Sequence, residues 1–242
     1  MKFRIGMLAA SGLLCALVYT TLQHVERALF IAHVPQSQLP LSKELIEFDS
    51  DMGRRLLQRS RHKVDLKPLQ RFYTSQIYLS YCGVATGVMS GNALLERAEY
   101  TQSNWFNGLP EDVHSAYETF FGGMTLAQFD GLMTARGYKT RRFHGNELSL
   151  DKFRELVVQN MLDKTDMLVI NYHRPALKQK GGGHFSPIAA YEQETDRVLI
   201  LDVAQHKYPP VWAQLNLVWK ALDTTDRSAH AQRGMLEIAR HY

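Results

Sequence analysis

The chain has 242 residues, of which 45% are hydrophobic and 21% charged, and its formal net charge is +4 at pH 7. These values are ordinary for a folded globular protein with one large domain or two small ones. Lys2 and Arg4 supply part of the positive charge, and no basic cluster interleaved with aromatic residues follows them. Nucleic acid is therefore excluded as an expected partner.

The first 30 residues have the composition of a targeting segment. A short basic start, MKFR, precedes an uncharged stretch over 5–22, and polar residues follow from Gln23. This order is typical of a secretory signal peptide or an uncleaved membrane anchor. We expect a signal peptide or anchor over 1–30, a linker over 31–44 and a folded domain over 45–242. The domain is expected to be exported, either periplasmic or anchored to the cytoplasmic membrane and facing the periplasm, with membrane contact only through the N-terminal segment.

Helical patterns come first in the domain and strand patterns follow. The helices are predicted over 50–60, 66–76, 82–98, 125–137, 149–162 and 216–223, with a capping box at Thr125 and Gln128 and an N-cap at Ser149. The strands are predicted over 138–144, 167–172, 184–192, 197–204 and 234–239. This order indicates an α+β domain rather than repeated βαβ units.

The domain contains a single cysteine, Cys82, because Cys15 lies in the targeting segment. An internal disulfide and a thiolate metal site are thereby excluded, and the scattered histidines predict no metal site in the protein. Cys82 begins a predicted helix, whose positive end lowers a thiol pKa and favours a nucleophile. A buried, inert cysteine is the alternative.

Three further residues complete a candidate catalytic set. Gln76 lies six residues before Cys82, where its amide could join the cysteine N–H in an oxyanion hole. His184 follows three glycines and begins a strand. If the loop of the following hairpin is 193–195, Asp202 lies diagonally from His184, so its carboxylate would accept the Nδ1 hydrogen of the imidazole. The competing interpretation is an aspartate that caps the next turn.

Three stretches of the chain resemble the phytochelatin synthase family, papain-like transpeptidases that act on glutathione. They are QSQIYLSYCGVATGVMSGNAL, NYHRPALKQKGGGHFSPIAAY and RVLILDVAQHKYPPVWA, and the similarity runs from about Leu45 to about Arg240. The resemblance implies a papain-like cysteine protease fold with a helical N-terminal half and an antiparallel-sheet C-terminal half, so that 45–242 becomes a catalytic domain.

The resemblance also implies a role for each candidate residue. Cys82 would be the nucleophile, His184 the general base, Asp202 the group that orients it, and Gln76 an oxyanion donor. The implied substrate-binding residues are Asn171, Gly183, Arg233, Lys207 and Tyr208. The glycines before His184 would let an extended γ-Glu-Cys chain lie beside the imidazole.

The implied activity is that of a glutathione γ-glutamylcysteinyltransferase, which cleaves the Cys–Gly bond of glutathione through a thioester. Hydrolysis is expected to exceed transfer to a second glutathione, because Gln205 stands where the family usually has arginine and the chain stops at Tyr242 without a Cys-rich region. No cofactor is expected, and heavy-metal ions such as Cd²⁺ would enter as glutathione thiolate complexes, in a bacterial response to heavy metals.

Two alternatives remain open at this stage. One is a papain-like peptidase of the bacteriocin-leader type, and the other is an exported module that binds glutathione or its metal thiolates without turnover. The sequence also leaves open a homodimer.

Overall fold

The computed structural model describes residues 2–36, 38–110 and 112–240, with side chains from residue 17 onward. The α-helices are α1 (Lys2–Ala32), α2 (Asp51–Arg59), α3 (Leu66–Arg71), α4 (Cys82–Leu95), α5 (Ala116–Gly122), α6 (Leu126–Ala135), α7 (Leu150–Asn160) and α8 (Leu215–Leu222). The strands are β1 (Ile46–Glu47), β2 (Lys139–His144), β3 (Asp166–His173), β4 (Gly183–Glu192), β5 (Arg197–Ile200), β6 (Val211–Gln214), β7 (Thr225–Asp226), β8 (Ala231–Gln232) and β9 (Gly234–Ala239). Short 3₁₀ turns lie at Gly145–Glu147 and Arg174–Leu177.

One antiparallel sheet organises the domain. Its seven strands have the order β1-β6-β5-β4-β3-β9-β2, while β7 and β8 form a separate small ribbon. The two longest strands, β3 and β4, lie together near the middle, and Tyr172 is paired with His184. The α+β class predicted from the sequence is therefore confirmed.

The sheet is covered by helices on both faces. Side chains alternate along a strand, so Val169 joins the core under α4 and α6, whereas Leu168 and Ile170 join the core under α7 and α8. All three are fully buried. Each such side chain stabilises the fold by about 1.5–3 kcal/mol relative to an exposed one.

The central helix α4 is enclosed by the rest of the domain. Its residues from Gly83 to Leu94 are all buried, as expected for a helix whose sides are all small or apolar. Only its two ends, Cys82 and Leu95, are partly accessible. The packing therefore fixes the position of Cys82 at the edge of the core.

Most predicted elements are confirmed, and the helix starts are the most accurate. The Ser149 hydroxyl accepts the Lys152 N–H, and Thr125 and Gln128 form the capping box. The helix predicted over 66–76 ends at Arg71, and that over 82–98 ends at Leu95. Helix α5 and strand β6 were not predicted, because one lies in an aromatic-rich stretch and the other directly follows two prolines.

The N-terminal segment contacts the domain rather than standing apart from it. Helix α1 extends to Ala32, and Ile31 is buried. In the expected linker, the Leu39 N–H donates to the Lys207 carbonyl at 2.9 Å. In the part of the chain that the structure describes, no helix has both the length and the apolar character needed to cross a membrane.

Candidate active site

Cys82 is the first residue of α4 and lines a cavity at that end of the helix. The cavity holds about 820 Å³, and Asn171, Gly183, Phe185 and Arg233 also line it. Among the described residues no side chain caps α4, so the amide hydrogens of its first turn point toward this end of the cavity. These amides are suited to an oxyanion that forms beside the sulfur.

Burial raises the pKa of the Cys82 thiol above its ordinary value. The backbone amides of Phe185 and Gly83 and the Arg174 guanidinium act in the opposite direction but do not outweigh desolvation. The expectation of a lowered thiol pKa is therefore wrong for the free site. A nucleophilic role for Cys82 would therefore require a neighbouring group that removes the thiol proton.

The imidazole of His184 is held by a buried carboxylate. Its Nε2 lies 2.9 Å from Asp202 Oδ1, and both residues are buried. Because a carboxylate only accepts, the ring carries its hydrogen on Nε2 and leaves Nδ1 as an acceptor. The sequence prediction had the two nitrogens reversed: it assigned Nδ1 to Asp202.

Burial and the charge of Arg174 lower the pKa of His184 to about 4. The imidazole is consequently neutral near pH 7, which is the form that accepts a proton. Within the described residues no hydrogen bond joins the Cys82 thiol to the His184 ring. Such catalytic bonds are often long in a free enzyme and shorten when substrate binds.

Asp202 receives more donors than the sequence indicated. The two Nη atoms of Arg174 bind its two carboxylate oxygens at 2.9 Å each, and the Ala204 N–H donates to Oδ1 at 2.8 Å. These partners hold the pKa of Asp202 far below its usual range, although burial alone would raise it. The carboxylate orients His184 and also caps the next turn, so both competing interpretations apply.

The juxtaposition of His184 and Asp202 arises through a register that differs from the one assumed. The hairpin pairs Glu192 with Arg197, so its loop is one residue longer than expected. A bulge between Ile188 and Ala190 then shifts the register back, and Ile188 pairs with Ile200. Two differences of one residue thus cancel, and Asp202 lies beside His184 as predicted.

Gln76 is buried next to the turn that precedes Cys82, and its side-chain amide already makes hydrogen bonds within that turn. Its Nε2 donates to the carbonyls of Tyr78 and Leu79 at 2.7 and 2.8 Å, which holds the turn that leads into α4. Gln76 lines a second cavity of about 640 Å³, together with Gln205 and His206. Both amide hydrogens are engaged in this arrangement, and its oxyanion role stays a prediction.

Asn171 and Arg233 bring unsatisfied polar atoms to the cavity that Cys82 lines. Among the described residues, Asn171 Oδ1 and Arg233 Nε are buried and have no hydrogen-bond partner. Arg233 Nη1 donates to the Thr225 carbonyl at 2.6 Å, which holds the guanidinium in place. These two groups are therefore available to a ligand that offers a matching donor and acceptor.

The glycines at 181 and 183 make room for basic side chains. A Cβ at position 183 would lie 2.8 Å from Arg233 Nη2, and one at position 181 would lie 2.9 Å from Arg174 Cδ. Gly181 also has φ +130, which side-chain-bearing residues rarely adopt. The two arginines therefore require glycine at positions 181 and 183, whether or not substrate also needs the space.

Lys207 and Tyr208 lie near the Asp202 carboxylate and its partner Arg174 and are not among the residues that line the cavity. The Tyr208 hydroxyl accepts the Lys180 N–H at 2.8 Å, and the Arg174 guanidinium lies 5.2 Å from the centre of its ring. Burial and Arg174 lower the pKa of Lys207. Tyr208 thus supports Arg174 and the glycine loop, and the substrate roles of both residues stay predictions.

Arg174 and Tyr73 are two partners of Asp202 that sequence reasoning missed. Tyr73 donates its hydroxyl to the Asp202 carbonyl at 2.5 Å, and Arg174 is buried against the carboxylate. Arg174 lies between the strands predicted over 167–172 and 184–192, in a stretch for which no element is predicted. One signal was available, because a buried aspartate in VLILDVA needs a cationic partner and Arg174 is the arginine nearest to the glycines.

Across the residues that the structure describes, no group of three or more His, Cys, Asp or Glu side chains is arranged to hold a metal ion.

The Cys82 thiol at the N-terminus of α4 meets the backbone amide of Phe185, the residue that follows His184, and a buried aspartate orients His184. This combination is typical of papain-like thiol sites. A phytochelatin synthase family profile matches residues 36–235. The chain belongs to the phytochelatin synthase family.

The curated relatives are named for a transferase activity. The chain is 34% identical over 206 residues to glutathione gamma-glutamylcysteinyltransferase 3 of Lotus japonicus, covering 82% of this chain and 43% of that protein. It is 33% identical to glutathione gamma-glutamylcysteinyltransferase 2 of Arabidopsis thaliana, covering 83% of this chain and 46% of that protein. The chain therefore spans less than half the length of these relatives.

A solved structure shows a weaker similarity. It is the peptidase domain of Streptococcus ComA, a bifunctional ABC transporter involved in a quorum sensing pathway. The match has 13% identity and a TM-score of 0.41, and it covers 69% of this chain and 97% of that domain.

Proposed function

We propose that this protein cleaves the Cys–Gly amide of glutathione through a γ-Glu-Cys thioester on Cys82. The observation that carries the proposal is one cavity in which Cys82 lies near the unsatisfied Asn171 Oδ1 and Arg233 Nε. The γ-glutamyl end of glutathione carries an ammonium donor and a carboxylate acceptor, which match an amide oxygen and a guanidinium N–H. The names of the curated relatives support the same activity.

Attack by Cys82 begins the reaction. His184 Nδ1 takes the thiol proton as the sulfur bonds to the carbonyl carbon of the Cys–Gly amide, and the uncapped amides of α4 stabilise the oxyanion. The C–N bond then breaks, the proton on His184 passes to the glycine nitrogen, and glycine leaves. Asp202 stabilises the imidazolium that forms between these two steps.

Release of the acyl group completes the cycle. His184 removes a proton from water, the oxygen bonds to the thioester carbonyl, and the C–S bond breaks to give γ-glutamylcysteine and the Cys82 thiol. A second glutathione amine would instead give a phytochelatin dimer. Hydrolysis is the favoured outcome because Gln205, where the family usually has arginine, offers no charge to hold a second carboxylate. Heavy-metal ions would enter only as glutathione thiolates.

We expect the full chain to release equal amounts of glycine and γ-glutamylcysteine from glutathione. The products are resolved by mass spectrometry, with and without Cd²⁺. Cys82→Ala should lower turnover by at least about 10³-fold, the scale of losing a catalytic nucleophile. Cys15→Ala is the matched control, since it removes the other cysteine of the chain, and it should retain full turnover.

Other outcomes of the same assay discriminate the alternatives. Absence of glycine in the wild-type protein would contradict the proposal. Cleavage of an α-linked peptide would then favour a peptidase, and tight glutathione binding without products would favour a binding module. If longer (γ-Glu-Cys)n products predominate, the main activity is synthesis of phytochelatin rather than hydrolysis.

The proposed location is outside the cytoplasmic membrane. The basic start and the uncharged stretch over 5–22 support export. Cell fractionation with antibody against the domain tests it, and recovery of the protein only in the cytosol would contradict it.

A further inference from the structure

The second half of α1 is held against α5 by specific contacts. Arg27 Nη2 donates to the Phe121 carbonyl at 2.6 Å, and the His24 ring lies 4.3 Å from the Phe121 ring. At the end of the helix the Leu79 N–H donates to the Ile31 carbonyl at 3.1 Å. Helix α1 is thus joined to the turn that precedes Cys82.

This docking makes α1 part of the wall of the catalytic cavity. Arg27, Phe30 and Ile31 line it together with Cys82. All three precede residue 36, where the family match begins. The family correspondence therefore assigns them no role, and their contribution has to be derived from the cavity itself.

The cavity has two walls that differ in origin, and each carries one arginine. We call Asn171, Gly183 and Arg233 the sheet wall, and the lining residues of the helical half, which include Arg27 and Ser80, the helical wall; Cys82 lines the same cavity. Both acidic groups on the lining are already engaged. Glu118 accepts hydrogen bonds from Ser115, and Asp226 accepts the Ser228 N–H and lies 3.8 Å from Arg233 Nη2. Arg27 offers several donors, and the Phe121 carbonyl accepts one of them.

Glutathione carries a carboxylate at each end, and its scissile amide lies between them. If Arg233 and Asn171 hold the γ-glutamyl end on the sheet wall, the glycine end lies across Cys82 toward the helical wall. The cavity of about 820 Å³ is large enough for the whole tripeptide. The Arg27 guanidinium is the cationic group on that wall suited to a terminal carboxylate.

We propose that Arg27 binds the glycine carboxylate of the substrate and so makes α1 a selectivity element for the leaving group. This inference rests on the proposed function, because it takes glutathione as the substrate. The same contact would favour acyl donors whose leaving group ends in a free carboxylate over those whose leaving group is blocked.

The test compares glutathione with its glycine ethyl ester, in which that carboxylate has no charge. For the full-length wild-type protein we expect kcat/KM for glutathione to exceed that for the ester by about five- to tenfold, the value of a partly exposed charge-assisted hydrogen bond. Arg27→Gln should bring the two values together, and Arg27→Lys should restore part of the difference. Arg54→Gln is the matched control, since Arg54 is exposed and pairs with Asp51 on α2.

Equal losses for both substrates in Arg27→Gln, or the full preference retained, would overturn the proposal. Calorimetric titration of Cys82→Ala and of the Cys82→Ala/Arg27→Gln double variant separates this result from failure of the proposed function. A preference for glutathione that disappears in the double variant supports Arg27 even if the wild-type protein releases no glycine. Equal binding of glutathione and ester by Cys82→Ala contradicts the Arg27 proposal even if glycine is released.

Discussion

The Asp202 carboxylate accepts more hydrogen bonds than the one that orients His184. It accepts two hydrogen bonds from Arg174, one from His184 and one from the Ala204 amide, all in a buried setting. Arg174 in turn donates to Gln179 Oε1 at 2.7 Å. Because the carboxylate is fixed on both oxygens, the orientation of the imidazole is set before substrate arrives.

We predict that Arg174→Gln destabilises the protein by about 3–5 kcal/mol, because it leaves a buried carboxylate with an incomplete set of partners. Arg174→Lys should recover little, since an ammonium cannot bind both oxygens as a planar fork does. Urea unfolding measures the free energy of unfolding. Arg54→Gln is the exposed control and should change it by less than about 0.5 kcal/mol. A loss below about 1 kcal/mol for Arg174→Gln would show that the pair contributes little.

The first residues of the helices were predicted most accurately, because the capping residues that mark them lie within a few positions in the sequence. The Ser149 hydroxyl accepts the Lys152 N–H at 3.1 Å, and this contact follows from a serine placed before an amphipathic stretch. The hairpin β4–β5 was less predictable. Its bulge depends on how Ile188 and Ala190 pack against the neighbouring strand, which no short stretch of sequence encodes.

For α7 we predict that Ser149→Ala lowers the free energy of unfolding by about 1 kcal/mol, the usual cost of losing an N-cap. The matched control is Ser103→Ala, at an exposed serine in the 100–107 loop, which should stay within about 0.5 kcal/mol of wild type. Thermal unfolding of both variants checks the difference. Equal effects of the two substitutions would contradict a capping role.

At the scale of the whole molecule, two buried groups make stability depend on pH in opposite directions. His184 has a folded pKa of about 4, below its unfolded value, so stability is lost as pH falls from about 6.5 toward 4. Burial raises the pKa of Asp65 well above 3.8, so its penalty grows as pH rises above that value. Asp65 is fully buried, and among the described residues neither of its carboxylate oxygens has a hydrogen-bond partner.

We predict that His184→Gln removes part of the acid sensitivity. Glutamine keeps an N–H donor for Asp202 and does not titrate. Between pH 6.5 and 4 the wild-type protein should lose about 2–3 kcal/mol more free energy of unfolding than the variant. Urea unfolding at several pH values measures this difference. Parallel profiles for the two proteins would mean that His184 is not buried in its neutral form.

We predict that Asp65→Asn stabilises the protein above pH 7 and that the gain disappears near pH 4. An asparagine needs no proton to enter the core, whereas the aspartate must bind one or stay charged without a partner. The gain should be measurable at pH 8 and should fall toward zero at pH 4, where the aspartate is protonated in the folded state and partly protonated in the unfolded state. Chemical unfolding at pH 4 and pH 8 gives the comparison, and a destabilised variant at pH 8 would refute the assignment.

The contacts that sequence could not predict are those between distant segments. Cys82, His184 and Asp202 each stood out through their chain neighbours, namely a helix start, a glycine run and an apolar strand end. Arg27 had no such signal, because its partner Phe121 lies 94 residues away. Contacts of this kind depend on the assembled domain and on the shape complementarity of α1 and α5.

Proteolytic processing near the end of α1 would change the cavity, because Arg27 and Phe30 precede Ile31 in the chain and Ile31 is the residue that binds the Leu79 N–H. A protease that cuts the chain just before Ile31 would leave Cys82, His184 and Arg233 in place but remove Arg27 and Phe30 from the cavity. The precursor would then prefer acyl donors with an anionic leaving group, and the trimmed protein would accept neutral ones more readily. Maturation would thus retune the substrate range of an unchanged catalytic centre, and the two forms could serve different donors in the same cell.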